Sequence, residues 1–229
     1  METGARGPEP HRICKLVLAS TNEPCAANGK WVRGAQRPAQ DTLPSPYLKS
    51  VSFMRLAAVE GGGTTWVAVI AEGTPDNIIA REVFDTELPG RTLTRIKEWL
   101  KRQTFDAIGI ATFGPVDAVP TSPTYGFITS TPKPNWKDTD VLTGLGIKEF
   151  GKPFLFDTDV NAPAFAEFLH HKKTDTPNLS SCAYITVGTG VGVGLVVNGS
   201  TVHGLMHPEA GHIMVDMPTT FVLIMPCRP

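Results

Sequence analysis

Apolar positions along the chain fall into short runs punctuated by glycine and proline, and the runs show two different periods. Leu56-Ala57-Ala58-Val59 is an unbroken apolar run that ends in Glu60-Gly61-Gly62-Gly63-Thr64-Thr65, and Trp66-Val67-Ala68-Val69-Ile70 resumes it. Run, glycine bend, run predicts two strands of a hairpin. Leu93, Ile96, Trp99 and Leu100 then recur at i, i+3, i+6 and i+7, which predicts one face of a helix opened by Thr92 or Thr94. Arg95, Lys97, Glu98, Lys101 and Arg102 are the solvated remainder of that helix. Ala107-Ile108-Gly109-Ile110-Ala111 reads as a strand buried on both faces, stopped by Gly114-Pro115. Phe154-Leu155-Phe156 is a further strand that runs into Asp157-Thr158-Asp159. A helical pattern follows through about Lys173, with Asn161 as expected N-cap and Pro163 in the first turn. Cys182 to Gly199, with Gly188-Thr189-Gly190 inside it, reads as a second strand, glycine bend, strand unit. Strands alternating with helices predict an α/β fold, with a mixed or parallel sheet covered by helices.

Composition adjusts this picture at the two ends. The first fifty residues hold six prolines, and seven Lys and Arg against four acids, a surplus of three positive charges. They fit a disordered or non-homologous extension at least as well as a transit peptide, because the acids are not excluded and Ser is not abundant. The remainder divides into 51–173 and, after the polar linker from Thr174 to Ser181, 174–229. A net charge of −1 argues against nucleic acid as the main partner. Cys14, Cys25, Cys182 and Cys227 form no CxxC pair, so they suggest neither a disulfide scaffold nor a complete zinc site and fit reduced thiols of a cytoplasmic protein. No run has the length of a membrane span.

Four places carry candidate chemistry. The corner at Asp157-Thr158-Asp159 sets carboxylates at the carboxyl end of a strand, where open α/β sheets place ligands. One of the two can face a substrate while the other is structural. The alternative is that both are turn residues. The glycine bends can bring backbone N–H groups and Thr hydroxyls close to phosphate, as anion-binding nests do, or can be plain tight turns. Neither bend is a P-loop or a GxGxxG fingerprint, since no helix follows either one. The long loop from Thr121 to Trp136 carries Thr131, Lys133, Asn135 and Trp136, which suit a sugar. Last come Glu209 and His212 in His207-Pro208-Glu209-Ala210-Gly211-His212.

Six motifs, in order and covering about Val51 to Val215, resemble the ROK family of sugar kinases and regulators, nearest its fructokinase branch. They are Glu60 to Thr64, Ala111 to Asp117, Tyr125 to Pro134, Asp157 to Ala162, Gly188 to Gly192 and His207 to His212. The resemblance implies an actin-like ATPase fold with a ribonuclease H-like first lobe, and ATP-dependent phosphorylation of a hexose, most often fructose to fructose 6-phosphate. It makes Asp159 the general base. It places Gly62, Gly63, Thr64, Thr65, Gly188, Thr189 and Gly190 at the ATP phosphates. Gly114, Thr131, Lys133, Thr158, Glu209 and His212 fall around the sugar. ATP and Mg²⁺ are the implied cofactors, and the full-length family implies a homodimer. Thr65 stands where the family commonly has Lys.

The family also binds Zn²⁺ through the histidine at His212 and a following Cys/His cluster. Here Cys227 is the one cysteine after it, so an incomplete metal site is expected. The second lobe is likewise expected to be truncated, near the size limit for an independent core. Two other readings follow: a catalytically inactive fragment that binds sugar or a partner, and a sugar-responsive regulator. The regulator reading is the weaker, because residues 1–50 show no helix-turn-helix periodicity.

Overall fold

The computed structural model describes residues 54–174, 176–188, 190–204 and 208–214. The expected N-terminal extension lies outside them. Strand β1 (Arg55–Gly61) is the centre of a five-stranded mixed sheet and is buried on both faces along almost its whole length. It pairs antiparallel with β2 (Thr65–Glu72), which pairs antiparallel with β3 (Ile78–Asp85). On its other side it runs parallel to β4 (Ala107–Thr112), which runs parallel to β7 (Phe154–Thr158). The order β3-β2-β1-β4-β7 is the ribonuclease H-like sheet expected of an actin-like ATPase lobe. Both apolar runs flanking the first glycine bend are strands of one hairpin, as their pattern predicts.

Helix α1 (Pro89–Lys101) covers one face of the sheet with Leu93, Ile96, Trp99 and Leu100. It starts earlier than the pattern suggested. Leu88 is its cap position and Pro89 opens it, where a missing N–H costs nothing. Thr92 is therefore inside the helix, fully buried, its hydroxyl accepting from Glu87 N–H and donating to the Asp85 carbonyl. Strand β3 had no clear sequence signal because it is an edge strand with one buried side chain, Phe84.

The long loop after β4 is less irregular than its prolines imply. Short strands β5 (Phe127–Ile128) and β6 (Thr139–Asp140) pair across it. A four-residue helix, α2 (Val141–Gly144), follows. Trp136, expected to suit a sugar, is a core residue. It is fully buried, stacks on Trp66 with ring centres 5.4 Å apart, and donates its indole N–H to the Glu87 carbonyl at 2.9 Å.

Helix α3 (Asn161–Thr174) lies on the other face of the sheet. Ala162 and Ala166 meet Ala58, Val69 and Ala111 there. Its far side meets a second sheet, ordered β10-β9-β8, built from β8 (Ser181–Val187), β9 (Val191–Val197) and β10 (Ser200–Thr201). Ala164 and Phe168 pack on Val196 at that contact. The approach is closest at Gly194, where a Cβ would stand 2.0 Å from the Val160 carbonyl oxygen. At Gly192 a Cβ would meet Val160 Cγ1 at 2.8 Å. These two glycines belong to helix packing, not to the bend. The opposite face of β8 and β9 leaves Ile185, Val187, Val191 and Val197 exposed. Among the described residues no helix is long and apolar enough to cross a membrane.

Backbone cannot yield as a side chain can. Gly194→Ala should therefore cost at the upper end of the overpacking range, about 2–3 kcal/mol in urea unfolding, while Gly192→Ala, facing a movable methyl, should cost less. Equal and negligible losses would show that the two sheets do not share α3 in this way.

Candidate active site

The end of β7 is held by short-range polar contacts. The Asp159 N–H donates to the Thr112 carbonyl of neighbouring β4 at 3.0 Å, which ties the residue to the sheet just past the strand's last paired position. Thr158 Oγ1 accepts the Asn161 N–H at 2.9 Å. That bond satisfies a first-turn donor of α3, so Thr158 carries out the capping expected of Asn161. Asn161 is instead the first residue of the helix, and its fully buried amide makes no cap bond. The Thr158 hydroxyl, expected at the sugar, is thus committed to the corner, and the residue is 1% exposed.

Asp159 is half-buried at this corner. Loss of hydration on burial pushes its carboxyl from the ordinary 3.8 up to about 6; its own backbone N–H opposes the rise, and the negative charge of Glu209 adds to it. Glu209 thus shares an electrostatic environment with Asp159. It stands before the short 3₁₀ turn Ala210–His212, which packs on β9 so tightly that a Cβ at Gly211 would lie 1.8 Å from the Val191 carbonyl oxygen. His212 Nε2 is 3.8 Å from Glu209 Oε2, and its side chain is largely in solvent. Among the described residues no three His, Cys, Asp or Glu side chains converge as metal ligands. Cys227 lies outside those residues.

At the first bend, Gly62 N–H donates to the Thr65 carbonyl at 2.8 Å, and the Thr86 hydroxyl braces the Gly62 carbonyl from β3's end. Gly63, Thr64 and Thr65 are exposed, with open space where a Gly63 side chain would begin. Lys133, expected at the sugar, reaches this bend and donates Nζ to the Gly63 carbonyl. Thr131 Oγ1 accepts the Lys133 N–H at 3.2 Å, and Trp136 anchors the same loop in the core. Gly114 is half-buried and precedes Pro115 through a cis peptide bond. At the second bend Gly188 N–H donates to the Gly190 carbonyl at 2.8 Å, and both glycines are exposed with open space around them. Thr189 lies outside the described residues.

Asp157, the other carboxylate of the corner, is directed elsewhere. Its Oδ1 accepts the Thr158 N–H at 2.7 Å and its Oδ2 lies 3.2 Å from His203 Nε2. Nothing in sequence spacing marked His203, an isolated histidine after β10. Only the return of that loop over β7 brings it to Asp157.

The ROK family profile matches residues 56–227. The chain belongs to the ROK family. The Lactococcus lactis subsp. cremoris fructokinase is 41% identical over 159 residues, which cover 69% of this chain and 52% of that protein. The Streptococcus mutans fructokinase is 39% identical over 158 residues, 68% of this chain and 52% of that one. Among solved structures, the ROK hexokinase of Thermus thermophilus is similar at a TM-score of 0.51 and 27% identity, over 67% of this chain and 50% of that chain. The ROK chain described here thus spans about half the length of the curated relatives it matches.

Asp159 holds its charge at the expense of stability. The folded carboxyl binds its proton more tightly than the unfolded one, so stability falls as pH rises from 3.8 through about 6. Asp159→Asn should therefore be more stable than the parent by about 2–3 kcal/mol at pH 7.5. The advantage should shrink as pH drops toward 4. Urea unfolding at several pH values measures both; a variant no more stable at pH 7.5 would contradict the desolvation.

Proposed function

We propose that this ROK protein is an ATP-dependent hexose kinase, with fructose as substrate and fructose 6-phosphate as product. The observation that carries the reading is Asp159, a half-open carboxylate at the carboxyl end of β7 whose proton affinity is raised to about 6 by desolvation. A general base works best when its pKa lies near the working pH, and this one is ionised at neutrality yet more basic than a solvated aspartate. The sequence relationship to fructokinases supports the choice of sugar.

In this mechanism a hexose hydroxyl is held against Asp159. The carboxylate accepts its proton as the hydroxyl oxygen bonds to the γ-phosphorus and the bond to the ADP oxygen breaks. Phosphoryl transfer of this kind needs positioning and charge neutralisation more than covalent help from the protein. Mg-ATP supplies the phosphoryl group and the counter-charge when bound. Gly63, Gly188 and Gly190 fit a polyphosphate, because nothing stands where their side chains would block close approach. Gly62, Gly63, Thr64 and Thr65 would hold it from the first bend, and Gly188, Thr189 and Gly190 from the second. Gly114, Thr131, Glu209 and His212 would border the sugar, with Thr158 acting through the corner. Lys133 sits closer to the phosphate bend than to this group. For zinc the described residues offer His212 alone, so no role is derived for that ion.

The bare outer face of β8 and β9 favours a second reading, in which the chain binds hexose or a protein partner without turning over. ADP release coupled to an indicator reaction, with fructose, mannose and glucose, separates the two. The kinase reading expects sugar-dependent ADP release that is fastest with fructose and falls about tenfold per pH unit below 6. Asp159→Asn should lose about 10²–10⁴-fold in kcat while retaining fructose binding. Near-normal turnover in that variant would remove Asp159 from the role of base.

A further inference from the structure

We propose that His203 is a positioning residue for the reaction, its Nε2 contact with Asp157 fixing the backbone from which Asp159 projects; this rests on the kinase reading above. The Asp157 side chain is only 14% exposed, and a carboxylate so far from water is costly unless paired. It is paired at both oxygens, with the Thr158 N–H and with His203. His203 Nε2 also lies 3.0 Å from the Thr201 hydroxyl on β10. A line of polar contacts therefore runs from the second sheet through His203 and Asp157 to the peptide that joins Asp157 to Thr158. Asp159 is the next residue. Restraint of that peptide limits how far the base can swing from a reacting hydroxyl, and misplacement by about 1 Å can cost up to about 10²-fold in rate.

The pair also has a charge state. The hydrogen bond to Asp157 and its negative charge raise the His203 pKa, against the opposing effect of burial. The imidazolium is the form that makes the ion pair with the Asp157 carboxylate, so the hold weakens as pH rises through the raised His203 value. The neighbouring titratable groups have other partners or stay neutral. Tyr125 feels the Asp157 charge, but burial first and that charge second raise its pKa, so it stays neutral and does not compete. Glu209 acts on Asp159, and Glu167 of α3 acts on Cys182 of β8. His171 pairs with Glu167 along α3. Asp159 needs to be ionised and His203 protonated, so the two together give turnover an acid limb and an alkaline limb.

His203→Ala and His203→Gln test this in the full chain, with Asp157→Asn as a third variant. His203→Ala should lower kcat about tenfold with KM for fructose and ATP within about twofold. His203→Gln keeps an N–H donor but cannot carry charge, so its kcat should match that of the parent at high pH and show no alkaline limb. In Asp157→Asn, the His203 ring should titrate by NMR nearer its ordinary value. Hydrogen exchange at the Thr158 and Asp159 amides should quicken in His203→Ala. Unchanged kcat in His203→Ala, an alkaline limb that survives in His203→Gln, or unchanged exchange would each overturn the assignment. If the parent chain shows no hexose-dependent turnover, the kinase reading fails by itself, and the exchange and NMR results decide the His203–Asp157 restraint without it.

Discussion

Helix α3 can lie between two sheets because small residues stand where each sheet approaches its first turns. Ala162 and Ala166 face the five-stranded sheet, Ala164 faces the second sheet, and Gly194 removes the side chain that would otherwise hold β9 away. Interiors are close-packed, so a contact between a strand and the carbonyl of Val160 leaves no slack for an added methyl. The first turn of α3 is consequently gripped from two directions, by Thr158 before it and β9 beside it. Asp159 sits at the entrance to that turn, and its environment is largely a result of this packing.

The same packing sets the chemistry. Taking Asp159 out of water weakens its charged form, which raises its basicity toward neutrality and makes the folded chain hold an energetic cost at its own working site. Asp157, two residues earlier, shows the other solution to burial: its two oxygens are paired, one with a backbone N–H and one with His203. One short strand end thus carries two carboxylates in contrasting surroundings, Asp159 desolvated beside Glu209 and Asp157 paired with His203.

Much of this was legible in the residues. The unbroken apolar runs of β1, β2 and β4 announce buried strands, and the glycine bends announce hairpins, because burial on both faces and tight turning leave strong local signatures. The ends of α1 and α3 were less legible, since Thr92 and Asn161 look like caps while Pro89 and Thr158 open those helices. β3 had one buried side chain and so almost no pattern. Trp136 looked like a ligand-facing aromatic on a polar loop. Its burial depends on Trp66, seventy positions away, and no local window contains that information. For the same reason the His203–Asp157 pair could not be read from spacing. The corner itself could be, because a strand running into acids and then a helix is a local pattern.

The uncovered side of β8 and β9 bears on how the chain behaves in a tube. Four branched aliphatic side chains stand in water there, next to a strand edge whose ladder has no further neighbour among the described residues. With a formal net charge of −1, neighbouring molecules have little mutual repulsion to keep such faces apart. Crowding and added salt both push toward sticking, so handling at dilute concentration and a pH well above neutral favours dispersed material.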